Sequence, residues 1–167
     1  MTFTPKDGFP YYYNLAKDES VHALFSSSAT FAFLASIGEE KARYRYAPNK
    51  WSICQIVGHI TDHERIKMFR AFQMSRAEAV ELWGYDQNAL VANARFEDLT
   101  LQQLVTDLAK VRNASLSFID TLSDQQLQLK GKAKDLQVTL EAFLRTIIGH
   151  ERHHLQIIKE KYLRTTP

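Results

Sequence analysis

Apolar side chains recur at helical spacing in four long stretches of the chain, with polar side chains at the positions between them. The first stretch runs from about Asp18 to Ile37, and Gly38 is expected to end that helix. The other three span about 53–75, 101–122 and 140–163, the last ending at Tyr162 or Leu163. No internal repeat is present. The pattern therefore predicts a single all-α domain over residues 1–167, a four-helix bundle with little or no sheet.

Three of the four predicted helices have recognisable starts. Ser52 and Gln55 have the spacing of a capping box, in which each side chain bonds the backbone N–H of the other residue. Thr100 and Gln103 repeat this spacing, and Thr139 is the expected cap of the last helix. Apolar pairs at the spacing of a hydrophobic staple flank the caps; they are Trp51 with Ile56, Leu99 with Leu104, and Val138 with Phe143.

The stretch from Arg76 to Glu97 is too long for a tight turn between two helices. A crossover of this length allows the second and third helices to run parallel. The crossover also carries Trp83-Gly84-Tyr85-Asp86, aromatic and turn-forming residues that suit a lid or a cavity wall. Ordinary packing of the loop would explain these residues equally well. A second loop, containing Gly131, is expected between the third and fourth helices.

Composition narrows the choice of compartment and partner. The chain has 167 residues, a net charge of +2 and 45% hydrophobic residues, which are typical of a globular domain. The single cysteine, Cys54, excludes an internal disulfide framework and fits a reducing cytosol. Neither a signal peptide nor an apolar run long enough to cross a membrane is visible, so we expect a cytoplasmic protein without a membrane partner. The weak net charge gives no reason to expect a nucleic-acid partner.

Five of the six histidines fall in two groups, and each group lies on a predicted helix. His150 and His154 are four residues apart and so share a helical face, as do His59 and His63. Two helices that present histidines to a bundle interior are typical of metal-binding bundles. His153 falls outside the apolar arc of its helix and is expected at the surface or behind the ligands. The alternative is four ordinary histidines, either hydrogen-bonded in the core or exposed.

Glu64 and Glu151 lie near the middle of the apolar arcs of their helices, where carboxylates are rare unless paired. They are the candidate catalytic residues, as a general base or as residues that orient the histidines. Pairing with Arg65, Arg70 or Arg112 is a further possibility, and we favour an orienting or ion-pairing role over a general base.

The segment His150-Glu151-Arg152-His153-His154 also satisfies the H-E-x-x-H signature of zinc proteases. Context argues against that reading. Ile157 stands where a protease of this kind would need a glycine turn, and no strong strand pattern is present to form a substrate-binding edge. We therefore do not expect a protease.

Two segments carry a resemblance to a known family. Residues 50–59, KWSICQIVGH, resemble the Trp-Ser-apolar-apolar-His stretch of the DinB-like (DinB/YfiT-like) family, and residues 149–154 resemble its closing His-x-x-x-His helix. The resemblance covers nearly the whole chain. It implies an up-down-down-up four-helix bundle, often dimeric, with a divalent metal held by three histidines. By motif position these are His59, His150 and His154, and His63 is left behind the ligands or in a structural role.

The family resemblance also implies a range of activities. Some members resemble thiol S-transferases that use low-molecular-weight thiols such as bacillithiol or mycothiol, and others are maleylpyruvate isomerases. Three histidine ligands would leave a fourth position open for a thiol, water or substrate. We expect a homodimeric metal-dependent enzyme acting on a small molecule, with zinc, nickel or iron as its metal. The alternative is a non-catalytic bundle whose metal is a sensor or a structural element.

Overall fold

The computed structural model describes residues 3–78, 84–133 and 136–163 and is mainly helical. Nine α-helices lie in these ranges: α1 (Phe9–Asn14), α2 (Val21–Ser26), α3 (Ala29–Ala35), α4 (Glu39–Ala42), α5 (Ile53–Ser75), α6 (Gln87–Asn93), α7 (Leu101–Ile119), α8 (Asp124–Leu127) and α9 (Leu140–Ile157). Short 3₁₀ turns occupy Pro5–Asp7 and Phe96–Asp98, and α9 continues as one π-helical turn over Ile158–Tyr162. Two short strands, β1 (Lys130–Ala133) and β2 (Leu136–Thr139), complete the described part.

The three long helices begin at the residues that the capping patterns predict. Both capping boxes form, at Ser52 with Gln55 on α5 and at Thr100 with Gln103 on α7. The Thr139 hydroxyl accepts a hydrogen bond from the backbone N–H of Ala142 at 3.1 Å and caps α9. These contacts satisfy N–H groups that a helix start otherwise leaves without a partner. The predicted end of the third helix, near Leu122, is a few residues too late, because α7 ends at Ile119.

The predicted first helix over 18–37 is wrong in its extent. The structure divides it into α2 and α3, and the break falls in the serine run 26–28, where the Ser27 backbone is extended. Serine side chains bond nearby backbone groups and so compete with the helical hydrogen bonds. Here the Ser27 hydroxyl accepts a hydrogen bond from the Ala29 N–H at 3.4 Å. An additional helix, α1, precedes this region and was not predicted.

The loop expected around Gly131 is a β-hairpin. Strands β1 and β2 pair antiparallel, with Lys130 opposite Thr139 and Gly131 opposite Val138. A side chain at Gly131 would begin about 3.0 Å from the Met74 methyl group, so the glycine allows the hairpin to lie close to the end of α5. This small sheet is the only one in the described ranges and leaves the all-α class unchanged.

Helices α2, α5, α7 and α9 form a four-cornered bundle. Helices α5 and α2 each pack against both α7 and α9, and α3 extends the contact with α7. Helices α5 and α7 run parallel: Ser52 before α5 donates a hydrogen bond to Glu97 just ahead of α7, and Gln126 beyond α7 reaches the carbonyl of Ser75 at the end of α5. Helix α9 is antiparallel to α5, since the Tyr162 hydroxyl donates to the Trp51 carbonyl. The complete up-down-down-up order stays a prediction.

The hydrophobic core has two parts. One lies around the first half of α5 and the last residues of α9, and the other lies around the end of α5 and the first half of α9. Both helices also carry buried ionisable residues between these clusters; they are His59, His63 and Glu64 on α5 and His150, Glu151 and His154 on α9. The candidate site is therefore a polar layer between two apolar clusters. Within the described ranges, no helix combines the length and apolar character needed to cross a bilayer.

Candidate metal centre

Three histidines converge between α5 and α9. The Nε2 atom of His150 lies 3.3 Å from Nε2 of His59 and 3.2 Å from Nε2 of His154. The antiparallel packing of the two helices brings the one-turn pair His150 and His154 opposite His59. All three side chains are buried, with exposed fractions of 2% for His59, 5% for His150 and 9% for His154. His154 is the most exposed of the three.

The spacing of these nitrogens fits a metal ion. Zinc–nitrogen bonds of about 2.0–2.1 Å in a tetrahedral site place two ligand nitrogens roughly 3.4 Å apart. The observed 3.2 and 3.3 Å separations are close to this value, and all three ligand atoms lie within 4.8 Å of one another. The Nδ1 atom of His150 is buried and has no hydrogen-bond partner within the described structure. The imidazole set thus suits a divalent metal bound through the three Nε2 atoms.

Burial keeps these imidazoles neutral. It lowers the pKa of His59 to about 4. Burial also holds the pKa values of His150 and His154 well below the usual range, and the neighbouring histidines add to this effect. A neutral imidazole is the form that coordinates a metal. The apolar clusters on either side therefore prepare the site for metal at neutral pH.

His63 lies against the three histidines but contributes no nitrogen to their convergence. Its ring stacks on that of His150, with centroids 3.7 Å apart and planes 15° from parallel. Its Nδ1 is 2.6 Å from the hydroxyl of Tyr85, a residue of the crossover. Burial raises the pKa of Tyr85 to about 12, so its hydroxyl keeps its proton. His63 consequently supports the His150 ring from behind.

Helix α1 covers another side of the site, where its aromatic residues contact His150 and His153. The ring of Tyr12 meets His150 edge to face at 5.2 Å, and the Tyr11 hydroxyl is 3.0 Å from Nδ1 of His153. His153 is half-buried and points towards α1 rather than into the cluster. The close approach depends on Gly149, because a Cβ atom there would lie 1.9 Å from the Tyr12 carbonyl oxygen. Sequence reasoning missed both tyrosines; the available signal was Pro10 in the first turn of a short aromatic segment.

The two buried glutamates bind an arginine. Arg112 on α7 donates to both Glu64 oxygens, at 2.9 to 3.1 Å, and also to Glu151. Burial alone would lower the pKa of Arg112, but Glu151 and Glu64 raise it. The Ser115 hydroxyl also donates to Glu64 at 2.7 Å, and the Thr30 hydroxyl donates to Glu151 at 2.6 Å.

These contacts bear on the candidate catalytic roles. Of the three arginines considered as partners, Arg112 makes the pair, whereas Arg65 binds Asp62 and Asp107 at the surface. Glu151, the residue that H-E-x-x-H would use as general base, is committed to Arg112 and Thr30. The arrangement favours an ion pair that holds α5, α7 and α9 together over a general base in the site.

A pocket of about 210 Å³ reaches the cluster at His154. The rings of Tyr46, Trp51 and Tyr162 line it together with His154, and we call it the aromatic pocket. The Trp51 ring also lies 4.8 Å from the ring of His59. Trp83, the first residue of the predicted lid, is outside the described residues; of that segment, Tyr85 reaches His63.

The sequence matches the DinB superfamily over residues 25–158, a range that includes all three convergent histidines. The fold is similar to that of YfiT from Bacillus subtilis, described as a probable metal-dependent hydrolase with an unusual four-helix bundle topology. The two share 18% identity with a TM-score of 0.65, over 96% of this chain and 89% of YfiT. No curated protein matches the sequence.

Proposed function

The chain belongs to the DinB superfamily, and from this premise we propose that it is a cytoplasmic, metal-dependent enzyme of the thiol S-transferase type. His59, His150 and His154 would hold a divalent metal, which we expect to be zinc, nickel or iron. Imidazole suits all three of these metals. The small-molecule substrate would react with a low-molecular-weight thiol.

One observation carries the proposal: three neutral imidazoles converge beside a pocket, while the neighbouring carboxylates are bound elsewhere. Structural zinc sites normally have four protein ligands, whereas catalytic sites have three and an open position. Glu64 is bound to Arg112 and Ser115, and His63 faces Tyr85, so neither offers itself as a fourth ligand. When bound, the metal would supply a Lewis acid that lowers the pKa of a thiol or water beside the pocket.

The residues around the cluster would position the reactants and exclude water. In the transfer, the sulfur–hydrogen bond of the thiol breaks and a sulfur–carbon bond forms to the electrophile. The leaving group departs with its electron pair, and the thiol proton passes to solvent. Trp51 on one side of the histidines and Tyr12 on another shield the reacting atoms from bulk water. Tyr85 and His63 keep the His150 ring in place.

A hydrolase is the second candidate, and the similarity in fold to YfiT favours it. The same site would then use water in place of the thiol. The two candidates differ in the nucleophile and share the histidine ligands. A hydrolase would therefore show the same metal dependence without a requirement for thiol.

We also propose a homodimer. Phe69 and Phe72 lie three residues apart on α5 and are 63% and 46% exposed. Residues at this spacing share a helical face, and adjacent exposed aromatic rings are typical of protein–protein contacts. Analytical ultracentrifugation tests this proposal, because replacing both residues by serine should convert a dimer into a monomer.

Cobalt substitution tests the open position. The cobalt protein should gain a thiolate-to-metal charge-transfer band when a small thiol is added, and a panel of thiols and electrophiles should then identify a pair that reacts. A cobalt spectrum that is tetrahedral and unchanged by every thiol would instead favour a sensor or structural metal. His153→Ala serves as a matched control, since His153 faces Tyr11 and should leave the spectrum unchanged.

A further inference from the structure

We infer that the aromatic pocket binds a small planar carboxylate. The ligand's body would lie between aromatic rings, and its charge would face Lys50. Treating this ligand as a substrate rests on the proposed function. The binding site itself depends only on the pocket.

Aromatic side chains form much of the pocket lining and are held in place by contacts with one another. Tyr46 and Tyr162 meet edge to face with ring centroids 5.0 Å apart. The Tyr162 hydroxyl donates to the Trp51 carbonyl, which ties the end of α9 to the start of α5. Rigid aromatic walls favour planar ligands, because stacked and edge-on contacts add to the burial of apolar area. The aromatic lining, which Ile56 and Ile157 complete, therefore favours a ligand with a flat ring.

The volume limits the size of the ligand. A space of about 210 Å³ holds roughly seven waters at their share of liquid volume. That corresponds to a ligand of on the order of ten non-hydrogen atoms. The pocket ends at His154, the most exposed of the three convergent histidines. A ligand of this size would therefore lie against the candidate metal centre.

The charged and polar residues that line the pocket indicate which polar group the ligand would carry. Lys50 is the one ionised side chain among the described residues that line the pocket, and no acidic residue lines it there. Asn49 and Asn88 add amide groups at the same rim. A lysine flanked by two amides matches a carboxylate, which accepts several hydrogen bonds at once.

Three probe molecules separate the effect of the ligand's planarity from that of its charge; they are benzoate, benzamide and cyclohexanecarboxylate. Benzoate is planar and charged, benzamide is planar and neutral, and cyclohexanecarboxylate is charged but not planar. In the zinc-loaded, ¹⁵N-labelled protein, the indole N–H signal of Trp51 reports binding, and Trp51→Phe assigns it. We expect benzoate to shift this signal in a saturable way and to bind more tightly than either of the other two probes.

Lys50→Ala should weaken benzoate binding about two- to fivefold, within the range that one exposed ion pair supplies, and leave benzamide binding unchanged. Lys132→Ala is the matched control, because Lys132 lies on the hairpin at the opposite end of α5. Equal benzoate affinity in the two variants, or equal affinity of the wild-type protein for benzoate and benzamide, would overturn the inference. Failure of benzoate to shift the Trp51 signal would do so as well.

Removal of zinc separates this inference from the proposed function. Benzoate held by the pocket should bind the chelator-treated protein with its Lys50 dependence intact. Loss of binding together with the metal would mean that benzoate is a metal ligand and that the pocket does not recognise it. Conversely, Lys50-dependent binding in a protein whose cobalt form ignores every thiol would leave the pocket assignment standing and overturn the transferase.

Discussion

At the scale of single residues, the candidate site depends on where each ring nitrogen points. His59, His150 and His154 direct Nε2 atoms to one place, while His153, adjacent to His154 in sequence, directs Nδ1 to Tyr11. One residue along a helix rotates a side chain by about 100°. Neighbouring histidines can therefore have unrelated roles.

Single substitutions test this assignment. His59→Ala, His150→Ala and His154→Ala should each reduce zinc affinity by more than about a hundredfold, because loss of a supporting residue alone costs up to that factor. His153→Ala should cost less than about tenfold. Competition with a chromophoric chelator measures the zinc affinity of all four variants. Equal losses at His153 and His154 would show that the ligand set is wrong.

Zinc binding should resist moderate acid. Ordinary histidines have a pKa near 6.5, so a site of three would lose about a thousandfold in affinity by pH 5.5 through protonation. Here burial lowers the pKa of His59 to about 4 and those of His150 and His154 well below normal. Protons therefore compete only at lower pH. We expect less than about a tenfold loss between pH 7 and 5.5, measured with a pH-corrected chelator; a steeper fall would contradict the assigned burial.

At the scale of elements, the site depends on two glycines that each precede a candidate ligand. Gly58 leaves room for the ring of Phe96, and Gly149 leaves room for the backbone of Tyr12. The two contacts differ in how easily they give way. A side-chain ring can rotate away from an added methyl group, whereas a carbonyl oxygen moves only if the whole of α1 moves.

Gly149→Ala should therefore displace α1. Alanine improves helix propensity by about 1 kcal/mol, but overpacking costs about 1–3 kcal/mol, so we expect a net loss of about 1 kcal/mol. The clearer readout is hydrogen exchange, which should accelerate in residues 9–14. Gly38→Ala is the control, since nothing lies within 4 Å of a Cβ added there. Unchanged exchange in α1 would mean that the helix is not held by this contact.

Arg112 joins three of the long helices, and removing its charge should be costly. Arg112→Met leaves Glu64 and Glu151 buried without their cation, a change that typically costs about 3–5 kcal/mol. Arg65→Met, which breaks only surface pairs with Asp62 and Asp107, should cost about 1 kcal/mol or less. Chemical denaturation of the metal-free proteins measures the free energy of unfolding of both variants.

The elements that could be predicted from the sequence are those fixed by local chemistry. The starts of α5, α7 and α9 follow from capping residues within four positions of each other, and the histidine faces follow from helical periodicity. Helix α1 could not be predicted, because it is short and its main contacts are to α9, as between Tyr11 and His153, 142 positions away. The same holds for Arg112, which could be named only as one of three possible partners.

At the scale of the whole molecule, the candidate metal centre lies where the apolar core is interrupted. The polar layer of histidines, glutamates and Arg112 separates the two hydrophobic clusters. Without metal, the bundle must keep several neutral imidazoles buried at its centre, and Nδ1 of His150 has no hydrogen-bond partner among the described residues. Bound metal would crosslink the middle of α5 to the middle of α9 at this interruption.

Metal binding should therefore raise the thermal stability of the whole fold. A ligand at a hundred times its dissociation constant stabilises the folded state by about 2.7 kcal/mol if the unfolded chain does not bind it. For a chain of this size, each kcal/mol shifts Tm by about 2–4 °C, so zinc should raise Tm by about 5–10 °C. His153→Ala should keep this shift and His154→Ala should lose it, as measured by calorimetry.

Because the two apolar clusters lie on either side of the site, the thermal transition should sharpen as well as move. If zinc slowed hydrogen exchange only in residues near the histidines and left Tm unchanged, the metal would not join the two halves of the core.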